Sequence, residues 1–238
     1  MQIDLDSRLP RHGSAILLSR SARCIAAAAA TVLAAGVMLI APAIVPTRIG
    51  IQSANAACSD IEVVFARGTD EPGGIGRVGQ PFVDSLRNRV GGRSVGVYAI
   101  NYPATYDFLA AADGANDASA HIQGTVANCP DTRIVLGGYS QGAAVIDIIT
   151  AVPFPAIGFN SPMPAEVADH VAAVAVFGNP SAKVGAPLTL SPLYGFKAID
   201  LCTAGDPLCS DGRNMAAHSN YGLAGLTSQA AGFAAGLL

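Results

Sequence analysis

Five short apolar runs alternate with segments of helical periodicity, and this alternation restricts the chain to one kind of architecture. The runs are "DIEVVFARG", "SVGVYAINYP", "TRIVLGGYS", "VAAVAVFGNP" and "FKAIDLCTAG". Each carries β-branched or aromatic residues and ends at Gly, Pro or a polar turn, as buried strands do. Between them lie "QPFVDSLRNRVGG", with Phe82, Leu86 and Val90 on one face, and "DASAHIQGTVANC", with Ile122 and Val126. "QGAAVIDIITAV" follows the third run and stops before Pro153, and a last helix is expected over residues 219–238. Strands alternating with helices form a parallel sheet covered on both faces. Near-continuous apolar runs are what such a doubly covered sheet requires. The expected fold class is therefore α/β, a three-layer α/β/α sandwich around a five-stranded parallel sheet. Ligands of such sheets gather at the carboxyl ends of the strands.

The segment before the first run has another character. Arg8, Arg11, Arg20 and Arg23 precede an uncharged apolar stretch from Ile25 to Val45. Ala54-Asn55-Ala56 then fits the small-x-small pattern of a signal-peptidase site. We expect residues 1–56 to be a signal peptide and 57–238 to be one exported domain. The alternative is an uncleaved anchor, since the stretch 25–45 is long enough to span a bilayer. Either way the globular part is exported, secreted or held at the cell envelope.

Cysteine usage agrees with export. The exported part carries Cys58, Cys129, Cys202 and Cys209, an even number with no C-x-x-C, and H-E-x-x-H is absent. No metal site and no cofactor are expected. Cys202 and Cys209 are close in sequence and flank a Gly and a Pro, which favours the local pair and leaves Cys58 to Cys129. The net charge is −3 and residues 57–238 hold only two lysines, Lys183 and Lys197. Without a basic stripe, nucleic acid is not expected as a partner. A monomer is expected.

The pattern G-x-S-x-G occurs twice, at Gly138-Tyr139-Ser140-Gln141-Gly142 and at Gly92-Arg93-Ser94-Val95-Gly96. A nucleophile elbow needs a strand, a sharp turn carrying Ser, then a helix. Ser94 has a helix before it and a strand after it, so it reads as a turn residue at the wrong end of the sheet. Ser140 has the required order. A serine hydroxyl needs a base, normally His, and the base needs an orienting carboxylate. In α/β-hydrolases the chain order is Ser, acid, His. His12 lies in the leader, and His121 and His170 precede the fifth strand, so His218 remains. Asp200 lies inside that strand, leaving Asp206 and Asp211. Asp206 is favoured because it sits in "CTAGDPLC", where a cross-link and Pro207 would hold it in place. The oxyanion hole would use the N–H of Gln141 and, in the loop after the first strand, the N–H of Thr69, with the Thr69 hydroxyl as a further candidate donor. Gly74-Ile75-Gly76-Arg77-Val78-Gly79 also matches G-x-G-x-x-G, but it lies several residues beyond the first strand, and the second ends at Asn101 with no acid. It reads as a glycine-rich rim loop, not a dinucleotide turn.

From Cys58 to the C-terminus the chain resembles the cutinase family, most closely actinobacterial cutinase-like esterases. "FARGTDEPGG", "NYPA", "GGYSQGA", "CTAGDPLC" and "AHSNY" carry the resemblance, in that order. It implies a compact α/β-hydrolase without a lid domain. It also implies Ser140 as nucleophile, Asp206 as acid, His218 as base, Thr69 with Gln141 at the oxyanion hole, and the pairs Cys58–Cys129 and Cys202–Cys209. Fungal members have Ser where Thr69 stands, and the β-branch of Thr restricts its χ1. The expected activity is serine-esterase hydrolysis of carboxylic esters with short to medium acyl chains, with cutin-like polyesters or lipids within reach. The alternatives are a lipase, phospholipase or thioesterase of the same fold, or a non-catalytic exported binder. Peripheral contact with lipid surfaces fits this class. Phe154, Ile157 and Phe159 of "PFPAIGFNSPMP" and Leu190 of "LTLSPLYGF" are expected to line the acyl site, with core packing as the alternative.

Overall fold

A computed structural model describes residues 58–151 and 158–238. Residues 1–56, the expected signal peptide, lie outside the described residues. Among the described residues, no helix is long and apolar enough to cross a membrane. The strands are β1 (Ile61–Ala66), β2 (Val95–Ala99), β3 (Arg133–Tyr139), β4 (Val171–Phe177) and β5 (Ala198–Leu201). They form one sheet in the order β2-β1-β3-β4-β5, with every pairing parallel. β3 is thus the central strand. The helices are α1 (Gly76–Arg87), α2 (Ala111–Asn128), α3 (Gln141–Ala151), α4 (Pro180–Lys183), α5 (Met215–His218) and α6 (Leu226–Ala235).

The strand pleat sorts side chains into two cores. Val64 and Ala66 of β1 and Val174 and Val176 of β4 face the core built with α2 and α3. Ile61, Val63 and Phe65, with Ala173, Ala175 and Phe177, face the core built with α1 and α6. The rings of Phe65, Phe82 and Phe177 meet there with centroids 5.9–6.4 Å apart.

Two element expectations are corrected. The last helix, expected over residues 219–238, is α6 and begins only at Leu226, while α5 is a separate short helix before it. Residues 221–225 form turns, and Gly225, with a left-handed φ of 76°, caps the start of α6. α1 also begins at Gly76, earlier than apolar spacing alone suggests. A Cβ at Gly79 would stand 2.8 Å from the Phe65 ring, so this glycine lets α1 sit close against β1. Of the G-x-G-x-x-G match, Gly79 serves this packing, while Gly74 and Gly76 take positive φ values in and after the loop that precedes α1.

Asp147 on α3 and Asp200 on β5 share one amide. Asn179 Nδ2 donates to Asp147 Oδ1 at 3.3 Å and to Asp200 Oδ2 at 2.8 Å. Burial pushes Asp147 from 3.8 up to about 6, and repulsion from Asp200 acts in the same direction. The folded state therefore keeps a proton that the unfolded chain releases. That contribution to stability is complete below the unfolded value and is lost as pH rises through about 6. Asp147→Asn is expected to weaken the fall in stability between about pH 4 and pH 7, read from urea midpoints of both proteins.

Candidate active site

The turn after β3 is built by steric necessity. Ser140 has a φ of 57°, a strained value for a residue with a side chain. Its N–H donates to Phe177 O on β4 at 2.9 Å, which locks the turn to the neighbouring strand. The glycines on either side leave no alternative. A Cβ at Gly138 would lie 2.2 Å from Gly142 O, and one at Gly142 would lie 2.1 Å from Ala66 O. The hydroxyl of Ser140 consequently stands at the carboxyl end of the central strand, where α3 begins.

The candidate acid and base meet there. His218 Nε2 lies 2.9 Å from Ser140 Oγ, and His218 Nδ1 lies 2.7 Å from Asp206 Oδ2. Ionised Asp206 can only accept, so Nδ1 carries the proton and Nε2 is left to accept from the serine hydroxyl. Asp206 is fully buried, and the Leu208 N–H donates to its Oδ1 at 2.8 Å. The ring closed by the Cys202–Cys209 disulfide, with Cα atoms 5.8 Å apart, encloses Asp206. Cys58 and Cys129 are joined as well. Cys202, Asp206 and Cys209 cluster closely enough to suggest a metal site, but both sulfurs are committed to their disulfide. Asp211 is exposed outside the ring.

Tyr139, the variable residue of the elbow, supports His218 from beneath. Its hydroxyl donates to His218 O at 2.6 Å, and its ring lies 5.0 Å from the imidazole. Burial pushes its phenol up to about 12, so it stays a donor.

Thr69 and Gln141 face each other across the cleft. Thr69 Oγ1 donates to Gln141 Oε1 at 3.2 Å, and Gln141 Nε2 donates to Thr105 O at 3.0 Å. The Thr69 hydroxyl has one proton, and Gln141 takes it, so the backbone N–H groups are the donors left for an oxyanion. Neither the Thr69 nor the Gln141 N–H has a backbone acceptor among the described residues. The loop carrying Thr69 is held by two buried charges that sequence reasoning missed. Glu71 accepts the Gly68 N–H at 2.7 Å and Arg77 Nε at 2.7 Å. Arg67 donates to Glu71 O at 2.9 Å and to Tyr102 O at 2.6 Å.

The second G-x-S-x-G serves another purpose. Ser94 is exposed at the start of β2, and its Oγ donates to Asp60 Oδ2 at 2.7 Å.

The expected apolar lining is corrected. Phe154 and Ile157 lie outside the described residues. Phe159 is wholly buried in the core of α2 and α3. Its segment folds back onto α2, where Asn116 Nδ2 donates to Gly158 O at 2.7 Å and Asn116 Oδ1 accepts the Asn160 N–H at 2.9 Å. Leu190 borders a separate groove with Asp147 and Pro187. Tyr106, Phe108, Leu208 and Met215 line the cleft at Ser140. Tyr106, Phe108 and Met215 are 75%, 63% and 60% exposed, which makes the cleft an open one with apolar lips. The apolar residues of "TYDFL" were the available signal.

Comparison with known proteins places these features in a family. The family model described as Cutinase matches residues 57–238. The chain is 54% identical over 216 residues to Phospholipase Culp4 of Mycobacterium tuberculosis, covering 90% of this chain and 92% of that protein. It is 55% identical over 205 residues to Carboxylesterase Culp1 of the same species, covering 82% and 90%. Among solved structures, Trichoderma reesei cutinase bound to a phosphonate inhibitor superposes with a TM-score of 0.62 at 32% identity, covering 76% of this chain and 77% of that one. An acetylxylan esterase superposes with a TM-score of 0.65 at 26% identity, covering 76% and 99%.

Proposed function

The chain belongs to the cutinase family and is a serine ester hydrolase, and we propose that Ser140, His218 and Asp206 carry its chemistry as nucleophile, base and acid. The observation behind this reading is the unbroken chain of contacts from Asp206 through His218 to Ser140, at 2.7 and 2.9 Å. His218 Nε2 takes the hydroxyl proton as Ser140 Oγ attacks the ester carbonyl. The tetrahedral oxyanion is met by the N–H groups of Gln141 and Thr69. His218 then protonates the departing alcohol, leaving Ser140 acylated. Water, deprotonated by the same nitrogen, releases the acid and restores the serine. Asp206 stabilises the imidazolium and fixes its tautomer throughout.

The open cleft supports esters of short to medium acyl chain, with Tyr106, Phe108, Leu208 and Met215 receiving the apolar part. A lipid ester is the second reading, favoured by the relative named a phospholipase and by lips exposed enough to touch a lipid surface. Two disulfides support an exported protein. A fluorophosphonate probe is expected to label wild-type protein at Ser140. A panel of p-nitrophenyl esters should show its maximum at short to medium chains. Unlabelled Ser140 overturns the triad, and a rate that climbs steadily to the longest acyl chains reassigns the substrate to lipids.

The ring around Asp206 makes the acid dependent on a cross-link. The double variant Cys202→Ser, Cys209→Ser is expected to lose roughly 2–3 kcal/mol of stability. Its kcat should fall about 10–100-fold at a temperature where circular dichroism shows it folded, because the carboxylate is no longer held against His218. Full activity in the folded variant would show that the surrounding core alone holds Asp206.

A further inference from the structure

Asp206 has one contact that the triad as described does not use. Tyr221 is fully buried, and its hydroxyl donates to Asp206 Oδ2 at 2.5 Å. This is the same oxygen that faces His218 Nδ1 at 2.7 Å. The Tyr221 oxygen also accepts the Thr203 N–H at 3.3 Å and lies 3.4 Å from Cys209 Sγ. Its ring packs edge-on against Phe177 and Tyr139, each 5.8 Å away, so packing orients the phenol independently of its hydroxyl.

We infer that Tyr221 is a positioning residue for the acid: its phenol fixes Asp206 Oδ2 beside His218 and shares the negative charge that the imidazole would otherwise meet alone. The inference rests on the triad reading above. Three donors from three directions, Leu208 N–H, His218 Nδ1–H and Tyr221 O–H, leave the carboxylate no freedom to rotate. The sharing of one oxygen has an electrostatic consequence. A hydrogen bond to Oδ2 weakens the hold of that oxygen on a protonated imidazole, so removing the phenol is expected to move the acid limb of the pH profile. Burial, and then the charge of Asp206, raises the Tyr221 phenol above its ordinary value, so it remains a donor.

Other charged and titratable groups surround this centre. Arg77 with Glu71 stands at the cleft wall, Tyr139 lies under the imidazole, and Lys183 donates to Pro207 O from α4 at 2.8 Å. Asp211 and Arg213 of the acid loop are exposed. None is altered by Tyr221→Phe, which also keeps the ring.

The test is the pH profile of kcat/KM for p-nitrophenyl butyrate with the full chain. In Tyr221→Phe the acid limb is expected to move to higher pH by about half a unit to one unit. The plateau kcat should fall about tenfold with KM unchanged. Substituting 3-fluorotyrosine at position 221 gives a stronger donor of nearly the same size and should move the limb to lower pH. This second variant preserves the buried packing even where phenylalanine destabilises the protein. A limb that stays in place in a folded, active variant overturns the inference, whatever happens to thermal stability. Fluorophosphonate labelling separates the two failures. Labelling of wild-type Ser140 with an unmoved limb overturns the role of Tyr221 alone, whereas no labelling overturns the triad and this inference with it.

Discussion

Ser140→Ala is expected to lower kcat on p-nitrophenyl butyrate by about four to six orders of magnitude. The magnitude follows from the geometry. Ser140 Oγ is the group His218 Nε2 contacts, at 2.9 Å, and it sits beside the N–H groups offered to the oxyanion. The variant should remain folded with an almost unchanged melting temperature. Alanine keeps the Cβ that makes a φ of 57° unfavourable, so the turn is neither relieved nor further strained. Ser140→Gly separates chemistry from strain. It should be equally inactive yet about 1 kcal/mol more stable, since glycine adopts this φ freely. Residual activity within tenfold of wild type in either variant would place the nucleophile elsewhere. Equal stability of the two variants would mean that the turn stores no strain.

Gly142→Ala is expected to be strongly destabilising. The added carbon would lie 2.1 Å from Ala66 O and 2.5 Å from Arg67 O. Both are backbone atoms at the end of β1, and β1 is fixed between β2 and β3. No rotamer change can relieve the clash, so α3 must retreat from the sheet or β1 must bend. A loss of about 4 kcal/mol or more is expected, together with activity, because the Gln141 N–H moves with the helix. Gly124→Ala is the matched comparison. Gly124 lies within α2, and a Cβ there meets nothing within 4 Å. It should gain about 0.5–1 kcal/mol through helix propensity alone. Urea unfolding of the two variants measures both, and a Gly142→Ala protein within 1 kcal/mol of wild type would contradict the steric account of the elbow.

The sheet was readable because a parallel strand buried on both faces leaves an apolar run that little else produces. The elbow was readable for a similar reason: strand before and helix after are local properties, and they separate Ser140 from Ser94. The meeting of Asp206 and His218 followed from their order along the chain, a rule of the topology. What local pattern could not supply was the cleft wall. "PFPAIGFNSPMP" looks like a lining, but Asn116 on α2 captures residues 158 and 160 and turns Phe159 into core. Tyr106 and Phe108 sit in a mixed polar stretch whose placement depends on the loop after β2. The Arg67–Glu71 brace was hidden too, since Arg67 reaches the carbonyl of Tyr102, a residue 35 positions away. Tyr221 was assigned to the last helix, but it lies in the turns between α5 and α6, and there its phenol reaches Asp206.

The elbow is held by both neighbours of β3. Ser140 N–H is fastened to Phe177 on β4, and Gly142 rests on the end of β1. The base comes 78 residues after the nucleophile. During synthesis, therefore, the nucleophile exists well before anything can activate it. A nascent chain that has emerged past α3 carries a serine no more reactive than an alcohol in water. On the triad reading, hydrolytic power requires the segment from Cys202 to Tyr221, since both Asp206 and His218 lie in it.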